Sequence, residues 1–206
     1  MDRTEQIFTL IKPLSRNRFE YSLGLIEKYI EKFGNEIVAE IVSAFRNAFI
    51  QAANLQDSGK KGAMRYLILS HLYSSIWTGG YSVKLDIFDQ HLYADPYEID
   101  IYLTFNWLHS FLAEDMTYFR KNLITHISHL KEYELEQIQY RYGYYYHAVA
   151  LKLISEIMPA LLQLSEFGKL NVASEFEVLF GGYMDKATVI WPKTEGDNEV
   201  FSSRRG

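Results

Sequence analysis

The chain has 206 residues, of which 48% are hydrophobic and 16% aromatic, and its formal net charge is −5. Its basic clusters, Lys60-Lys61 and Arg204-Arg205, are too short to displace counterions from nucleic-acid phosphates, so we expect no nucleic-acid partner. Without cysteine, the chain cannot form disulfides, cysteine-ligated zinc sites or thiol nucleophiles. No apolar run approaches the ~20 residues that cross a bilayer, and residues 7–11 are too short for a signal peptide. We therefore expect a cytoplasmic protein that does not bind membranes.

Apolar periodicity predicts helices in the first third of the chain. A short helix over 3–12 should end before Pro13, because a proline forces the preceding residue out of the α region. A second apolar stripe runs from Phe19 to Phe33. Gly34 then either ends this helix, with Asn35 capping another, or lies inside one helix that continues to about Asp57. Residues 58–62, Ser-Gly-Lys-Lys-Gly, are a loop by composition.

Further helices are predicted downstream from the same 3.6-residue period. Pro96 suits the first position of a helix, the carboxylates of Glu114 and Asp115 suit the start of the next, and Pro159 bends or restarts the last. The predicted segments are about 62–78, 96–113, 114–138 and 148–167.

Two segments have the period of a β-strand. After Gly79-Gly80, the residues of 82–88 alternate between apolar and charged side chains. A similar alternation over 175–181 is followed by a glycine turn and a second extended run at 186–191, which predicts a hairpin. Because a lone strand cannot satisfy its backbone hydrogen bonds, we expect 82–88 to pair with, or lie beside, this hairpin.

The resulting prediction is a mainly α fold, with six or seven helices in one bundle. A small antiparallel β-element joins about 82–88 to the C-terminal hairpin at 175–191. Residues 1–192 are expected to form a single domain, and the polar residues 193–206 a disordered tail.

An acidic stretch near the predicted strand is the main candidate for chemistry. It contains Asp86, Asp89, His91 and Asp95, and the strand pairing would bring Asp185 close to it. Carboxylates held close together raise one another's pKa, and can perform acid–base chemistry or bind a divalent cation. The alternative is a solvated strand face and a helix-entry loop, where Asp is favoured for turns and caps.

A second candidate, His126, His129 and Glu132, has the spacing of three that brings side chains together on a helix. These side chains lie away from the predicted buried stripe, so a solvated surface is the better interpretation. Zinc-protease and phosphate-loop motifs are absent, and we expect neither a metal nor a cofactor.

The chain is rich in tyrosine, especially between 140 and 146. Tyr142 and Tyr146 share one helix face, whereas Tyr140 and Tyr144 share another. Such rings can stack on a ligand or form an interface, although packing between helices is the commoner use. The candidate binding tyrosines are Tyr81, Tyr142, Tyr145, Tyr146 and Tyr183.

Three hypotheses for function follow. The first is a cytosolic interaction or regulatory protein that binds another protein chain, or itself as a homo-oligomer, through an aromatic surface. The second is a small-molecule or metal-dependent enzyme that uses the Asp/His stretch. The third is a helical ligand-sensing module. The missing catalytic motifs favour the first hypothesis.

Overall fold

The computed structural model describes residues 3–192, so the tail predicted at 193–206 lies outside the described residues. The described part contains four α-helices and a five-stranded mixed sheet, with 60% helix and 18% strand. The helices are α1 (Arg3–Asp57), α2 (Tyr73–Trp77), α3 (Asn106–Leu123) and α4 (Glu132–Leu161). The strands are β1 (Met64–His71), β2 (Ser82–Phe88), β3 (Ile101–Thr104), β4 (Val172–Gly182) and β5 (Ala187–Trp191). The predicted mainly α bundle of six or seven helices is therefore wrong.

Helix α1 is continuous over 55 residues and contains both Pro13 and Gly34. The predicted helix end before Pro13 is wrong, and at Gly34 the continuous alternative is correct. A proline inside a helix removes one hydrogen bond and crowds the preceding turn. Ile7 and Ile11, just before it, are buried, so tertiary packing outweighs that local cost.

The helix predicted over 62–78 is instead a strand, β1, followed by the short helix α2. Met64, Leu67 and Leu69 are fully buried, and five successive residues at the end of β1 are buried. Strands covered on both faces show no alternation, so their apolar runs resemble a segment of buried helix. This ambiguity accounts for the wrong prediction.

Two other helix boundaries also differ from the predictions. The segment predicted as a helix from Pro96 contains β3, and α3 begins only at Asn106 and continues through Asp115. Helix α4 continues through Pro159, so the predicted restart at this proline does not occur. The number of helices is thus smaller because predicted neighbours merge.

The sheet has the strand order β3-β2-β1-β4-β5. The predicted hairpin is present as antiparallel β4 and β5, with Val178 opposite Trp191 and Gly181 opposite Ala187. The strand predicted at 82–88 is also present, as β2. Its predicted pairing with the hairpin is wrong, because β1 lies between β2 and β4.

The described residues form two compact units. The first comprises the described residues up to Ala44, with His71–Val83 and Tyr102–Ile154. The second comprises Phe45–Ser70, Lys84–Ile101 and the described residues from Ser155 onward. The expectation of one domain over 1–192 stays a prediction.

Each unit has its own aromatic core contacts. In the first unit, the Phe119 and Tyr142 rings meet edge to face with their centres 4.7 Å apart. In the second, the Phe49 ring packs against those of Phe45 and Phe167 at 5.8 and 5.2 Å between ring centres. Aromatic pairs in this distance range stabilise the folded state by more than the burial of their apolar surface alone.

Candidate functional site

A cavity of about 500 Å³ lies within the second unit. Its walls come from the loop after α1, the beginning of β1, the loop after β2 and the beginning of β4. A volume of this size accommodates a small molecule. The charged or titratable side chains that line it are Lys60, Lys61, Arg65, Asp89, His91, Asp95 and Glu175.

The loop after α1 is held by backbone hydrogen bonds. The N–H groups of Lys60 and Lys61 donate to the carbonyl of Leu55, at 2.9 and 3.2 Å, which satisfies the end of the helix. Gly59 has φ +69°, a conformation that glycine adopts without strain. The loop then presents the N–H of Gly62 to Asp89 Oδ2 at 3.1 Å.

Asp89 and His91 form a hydrogen-bonded pair at the cavity wall. Asp89 Oδ1 lies 2.9 Å from His91 Nδ1 and also accepts the backbone N–H of His91 at 2.8 Å. Burial alone would raise the pKa of the Asp89 carboxyl. The hydrogen bonds from the N–H groups of His91 and Gly62 have a larger, opposite effect, so the pKa of Asp89 lies below its ordinary value. Asp89 is therefore ionised at neutral pH.

This ionisation determines the tautomer of His91. A carboxylate can only accept hydrogen bonds, so His91 Nδ1 must carry the proton that lies between them. In the neutral ring, Nε2 is then the basic nitrogen. The His91 side chain is 60% exposed, whereas Asp89 is buried behind it. The same carboxylate–imidazole arrangement orients general bases in enzymes.

Lys61 and Asp95 form a closed ion pair in the wall of the cavity. Both side chains are almost fully buried, and Lys61 Nζ donates to Asp95 Oδ2 and, at 2.9 Å, to the carbonyl of Tyr97. The N–H of Tyr97 donates to Asp95 Oδ1 at 2.9 Å. Because each charge already has its partners, we assign this ion pair a structural role: it joins the loop after α1 to the loop after β2.

Arg65 and Lys60 have unused hydrogen-bonding capacity. Arg65 Nη1 lies 3.6 Å from Glu175 Oε2, beyond hydrogen-bond distance, and Arg65 Nε is buried without an acceptor within residues 3–192. Lys60 is exposed, with its ammonium 5.8 Å from the centre of the Tyr97 ring. These two cations are the groups at the cavity best able to receive an anion.

Of the five predicted catalytic candidates, Asp89, His91 and Asp95 line the cavity, whereas Asp86 and Asp185 do not. Asp86 is buried and lies 3.0 Å from the ammonium of Lys84. Burial raises the pKa of Asp86, and the nearby Lys84 charge only partly opposes this. Asp185 is exposed and its Oδ1 accepts the N–H of Lys186 at 2.7 Å, within the hairpin turn.

The predicted binding tyrosines occupy different environments. Tyr81, Tyr142 and Tyr146 are buried in the first unit, so their rings are not a surface. Tyr145, also in the first unit, is 42% exposed, and Tyr183, in the second, is 39% exposed. The Tyr145 ring stacks on Phe19, with 4.7 Å between centres. The ring centre of Tyr183 lies 5.3 Å from the ammonium of Lys84.

The other metal-like constellation lies on the surface. His126, His129 and Glu132 are exposed, and Glu132 accepts two 2.6 Å hydrogen bonds from Arg120. Within residues 3–192, no three His, Asp or Glu side chains are placed to hold a metal ion.

Sequence reasoning missed Arg65 and Lys61 as parts of the cavity. Lys60-Lys61 is too short a basic cluster to bind nucleic acid, and no sequence pattern indicates that Lys61 pairs with Asp95. Arg65 could not be placed because its segment was predicted as a helix. Asp115, which the sequence predicts only as part of a helix start, is a fully buried carboxylate of the first unit.

Comparison of this chain with protein-family models, with curated proteins and with solved structures finds no match.

None of the helices in the described part of the chain has the length and apolar composition that crossing a bilayer requires.

Proposed function

We propose that the protein binds a small polar molecule in the cavity of the second unit and that His91 acts on it as a general base. The observation that supports this most directly is the Asp89–His91 pair, in which a buried carboxylate orients an exposed imidazole at the cavity. Lys60 and Arg65 supply polar contacts for binding. We place the protein in the cytoplasm, since a chain without cysteine suits a reducing compartment.

The chemistry is a proton transfer. His91 Nε2 accepts a proton from a water molecule as the water oxygen bonds to an ester carbonyl carbon of the bound molecule, and the bond from that carbon to the alkoxide leaving group then breaks. The Asp89 carboxylate, bonded to Nδ1–H, stabilises the imidazolium, and the proton then passes to the product or to solvent. General-base catalysis of this kind typically accelerates a reaction by about 10²–10⁴-fold.

A test uses p-nitrophenyl acetate as a probe ester and compares His91→Asn with the unsubstituted protein. We expect His91→Asn to remove most of the protein-dependent hydrolysis at pH 7–8, and Asp89→Asn to reduce it. The matched control is His126→Asn, which removes an exposed histidine of the first unit. Equal rates for His91→Asn and His126→Asn would reject the proposal.

A second candidate function is self-association through α4. Tyr133, Tyr140 and Tyr144 are 57%, 41% and 59% exposed, and their spacings of seven and four place them on one face of the helix. Tyrosine is enriched in protein interfaces, and the partner we propose is a second copy of this chain.

Sedimentation at increasing concentration tests this second candidate. We expect the unsubstituted protein to form a dimer. The double substitution Tyr133→Ser with Tyr144→Ser should weaken that dimer. The control, Tyr97→Ser with Tyr102→Ser, removes two similarly exposed tyrosines elsewhere and should leave the dimer intact. A monomer at every concentration would exclude self-association.

A further inference from the structure

Some charged groups of the cavity have a full set of hydrogen-bond partners, whereas others do not. Asp89 accepts three N–H hydrogen bonds, from the backbone of Gly62 and from the backbone and ring of His91. Asp95 accepts from Lys61 and from the N–H of Tyr97. These two carboxylates therefore have their donors, and Lys61 is occupied as well.

The other two cations of the cavity, Arg65 and Lys60, lack such a full set of partners in the described part of the chain. Arg65 Nε is a buried donor without an acceptor within residues 3–192, and a buried donor of this kind is unfavourable until an acceptor reaches it. Within that same range, Lys60 has no carboxylate at ion-pair distance. The described residues thus leave two cationic side chains at one cavity with unused donors.

Within residues 3–192, Glu175 is the acidic side chain at ion-pair distance from Arg65, and it holds this arginine weakly. Its Oε2 lies 3.6 Å from Arg65 Nη1, and the Glu175 side chain is 70% exposed. An exposed ion pair at that distance is screened by water and salt. The Glu175 carboxylate can therefore turn toward solvent, and an incoming anion can take its place beside Arg65.

We infer that the ligand of this cavity carries a phosphate monoester, bound by the guanidinium of Arg65 and the ammonium of Lys60. A phosphate monoester has close to two negative charges at neutral pH, which two cations match, whereas a carboxylate has one. The planar fork of arginine fits phosphate oxygens, and lysine adds a point charge. This inference rests on the proposed function of the cavity and defines the chemical class of its ligand.

The test is a calorimetric titration with phenyl phosphate, and with benzoate as the carboxylate of similar size. We expect phenyl phosphate to bind saturably and at least tenfold more tightly than benzoate. Lys60→Gln with Arg65→Gln should weaken binding at least tenfold. The control, Arg16→Gln with Lys121→Gln, makes the same charge change at exposed positions of the first unit and should bind like the unsubstituted protein.

Three results would overturn the inference: no saturable binding of phenyl phosphate, equal binding of benzoate, or equal binding by the Lys60/Arg65 variant. If that double variant does not fold, Lys60→Gln alone decides, because Lys60 is an exposed loop residue. We expect it to weaken binding severalfold, and unchanged affinity would count against the inference.

The two proposals can fail separately. Phenyl phosphate binding that persists in His91→Asn, together with ester hydrolysis unaffected by that substitution, would keep the phosphate site and reject the general base. Loss of hydrolysis in His91→Asn without any phenyl phosphate binding would reject the phosphate site alone.

Discussion

The hydroxyl of Tyr146 donates a 2.6 Å hydrogen bond to Asp115 Oδ2, and neither residue has any exposed surface. The carboxylate accepts three more hydrogen bonds, from Tyr142, Ser22 and Arg18, at 2.6, 2.6 and 2.5 Å. Burial and the Asp115 charge raise the pKa of both tyrosines, so their hydroxyls remain protonated donors. One buried carboxylate thereby connects α1, α3 and α4 within the first unit.

We expect Asp115→Asn to reduce the free energy of unfolding by about 3–5 kcal/mol, because Arg18, whose side chain is only 17% exposed, then loses its fully buried counter-charge. The N–H groups of the new amide would also face the hydroxyl groups that now donate to the carboxylate, so that donor would meet donor. Urea unfolding measures the loss. The control is Glu114→Gln, an exposed neighbour with the same change of charge, which should stay within about 0.5 kcal/mol. A loss below about 1 kcal/mol for Asp115→Asn would contradict the structural role of the carboxylate.

The position of Asp115 in α3 is a sequence signal for its burial. It continues the apolar stripe of α3, whose buried residues are Leu108, Leu112, Asp115, Phe119 and Leu123. A carboxylate on such a stripe predicts a buried, fully bonded acid. Two acids in succession instead indicated a helix start, because carboxylates favour the positive end of a helix. The partners from α1 cannot be predicted, since no local pattern identifies contacts between residues 93 and 97 positions apart.

The cavity could be predicted only in part, for a similar reason. Asp89, His91 and Asp95 are close in sequence, so their grouping was visible before the fold was known. Arg65 and Glu175 come from strands β1 and β4, which are neighbours in the sheet. Because β1 is buried on both faces, its period resembled that of a helix, and without β1 the sheet order could not be derived.

The Asp89–His91 pair predicts a defined tautomer. At pH 8 we expect His91 to carry its proton on Nδ1 in the unsubstituted protein, as the ionised Asp89 requires. Asp89→Asn should remove this preference, since an amide can donate as well as accept. Long-range ¹H–¹⁵N NMR of the imidazole nitrogens measures the change, with the exposed Asp185→Asn as control. Identical ring-nitrogen shifts in Asp89→Asn would show that the carboxylate does not orient the ring.

His147 makes the first unit sensitive to acid. Its ring is buried, stacks on His71 with 3.7 Å between centres, and its Nδ1 is hydrogen-bonded to the hydroxyl of Tyr81. Burial, with a smaller contribution from His71, lowers the pKa of His147 to about 3. An unfolded histidine titrates near 6.5, so between these values the unfolded chain binds more protons.

The stability that His147 contributes should therefore be complete above about pH 6.5 and decrease as the pH falls toward 3, by at most about 5 kcal/mol. His147→Gln removes this titration, so the unfolding free energy of the variant should fall less steeply over that interval. Urea unfolding at several pH values gives both slopes. His126→Gln, at an exposed position, should keep the slope of the unsubstituted protein. Parallel slopes for the His147 variant and the unsubstituted protein would contradict a neutral buried ring.

The hairpin of β4 and β5 requires glycine at position 181. A Cβ atom there would lie 2.4 Å from the carbonyl oxygen of Lys186 and 2.7 Å from Ala187 Cα, and both are backbone atoms that move only if the strands separate. We expect Gly181→Ala to lower the free energy of unfolding by about 1–3 kcal/mol, as overpacking typically does. Gly168→Ala is the matched control, because a Cβ at Gly168 meets no heavy atom within 4 Å. Equal thermal unfolding midpoints for the two variants would mean that the strands can separate locally at little cost, and that the close approach at Gly181 does not hold the hairpin together.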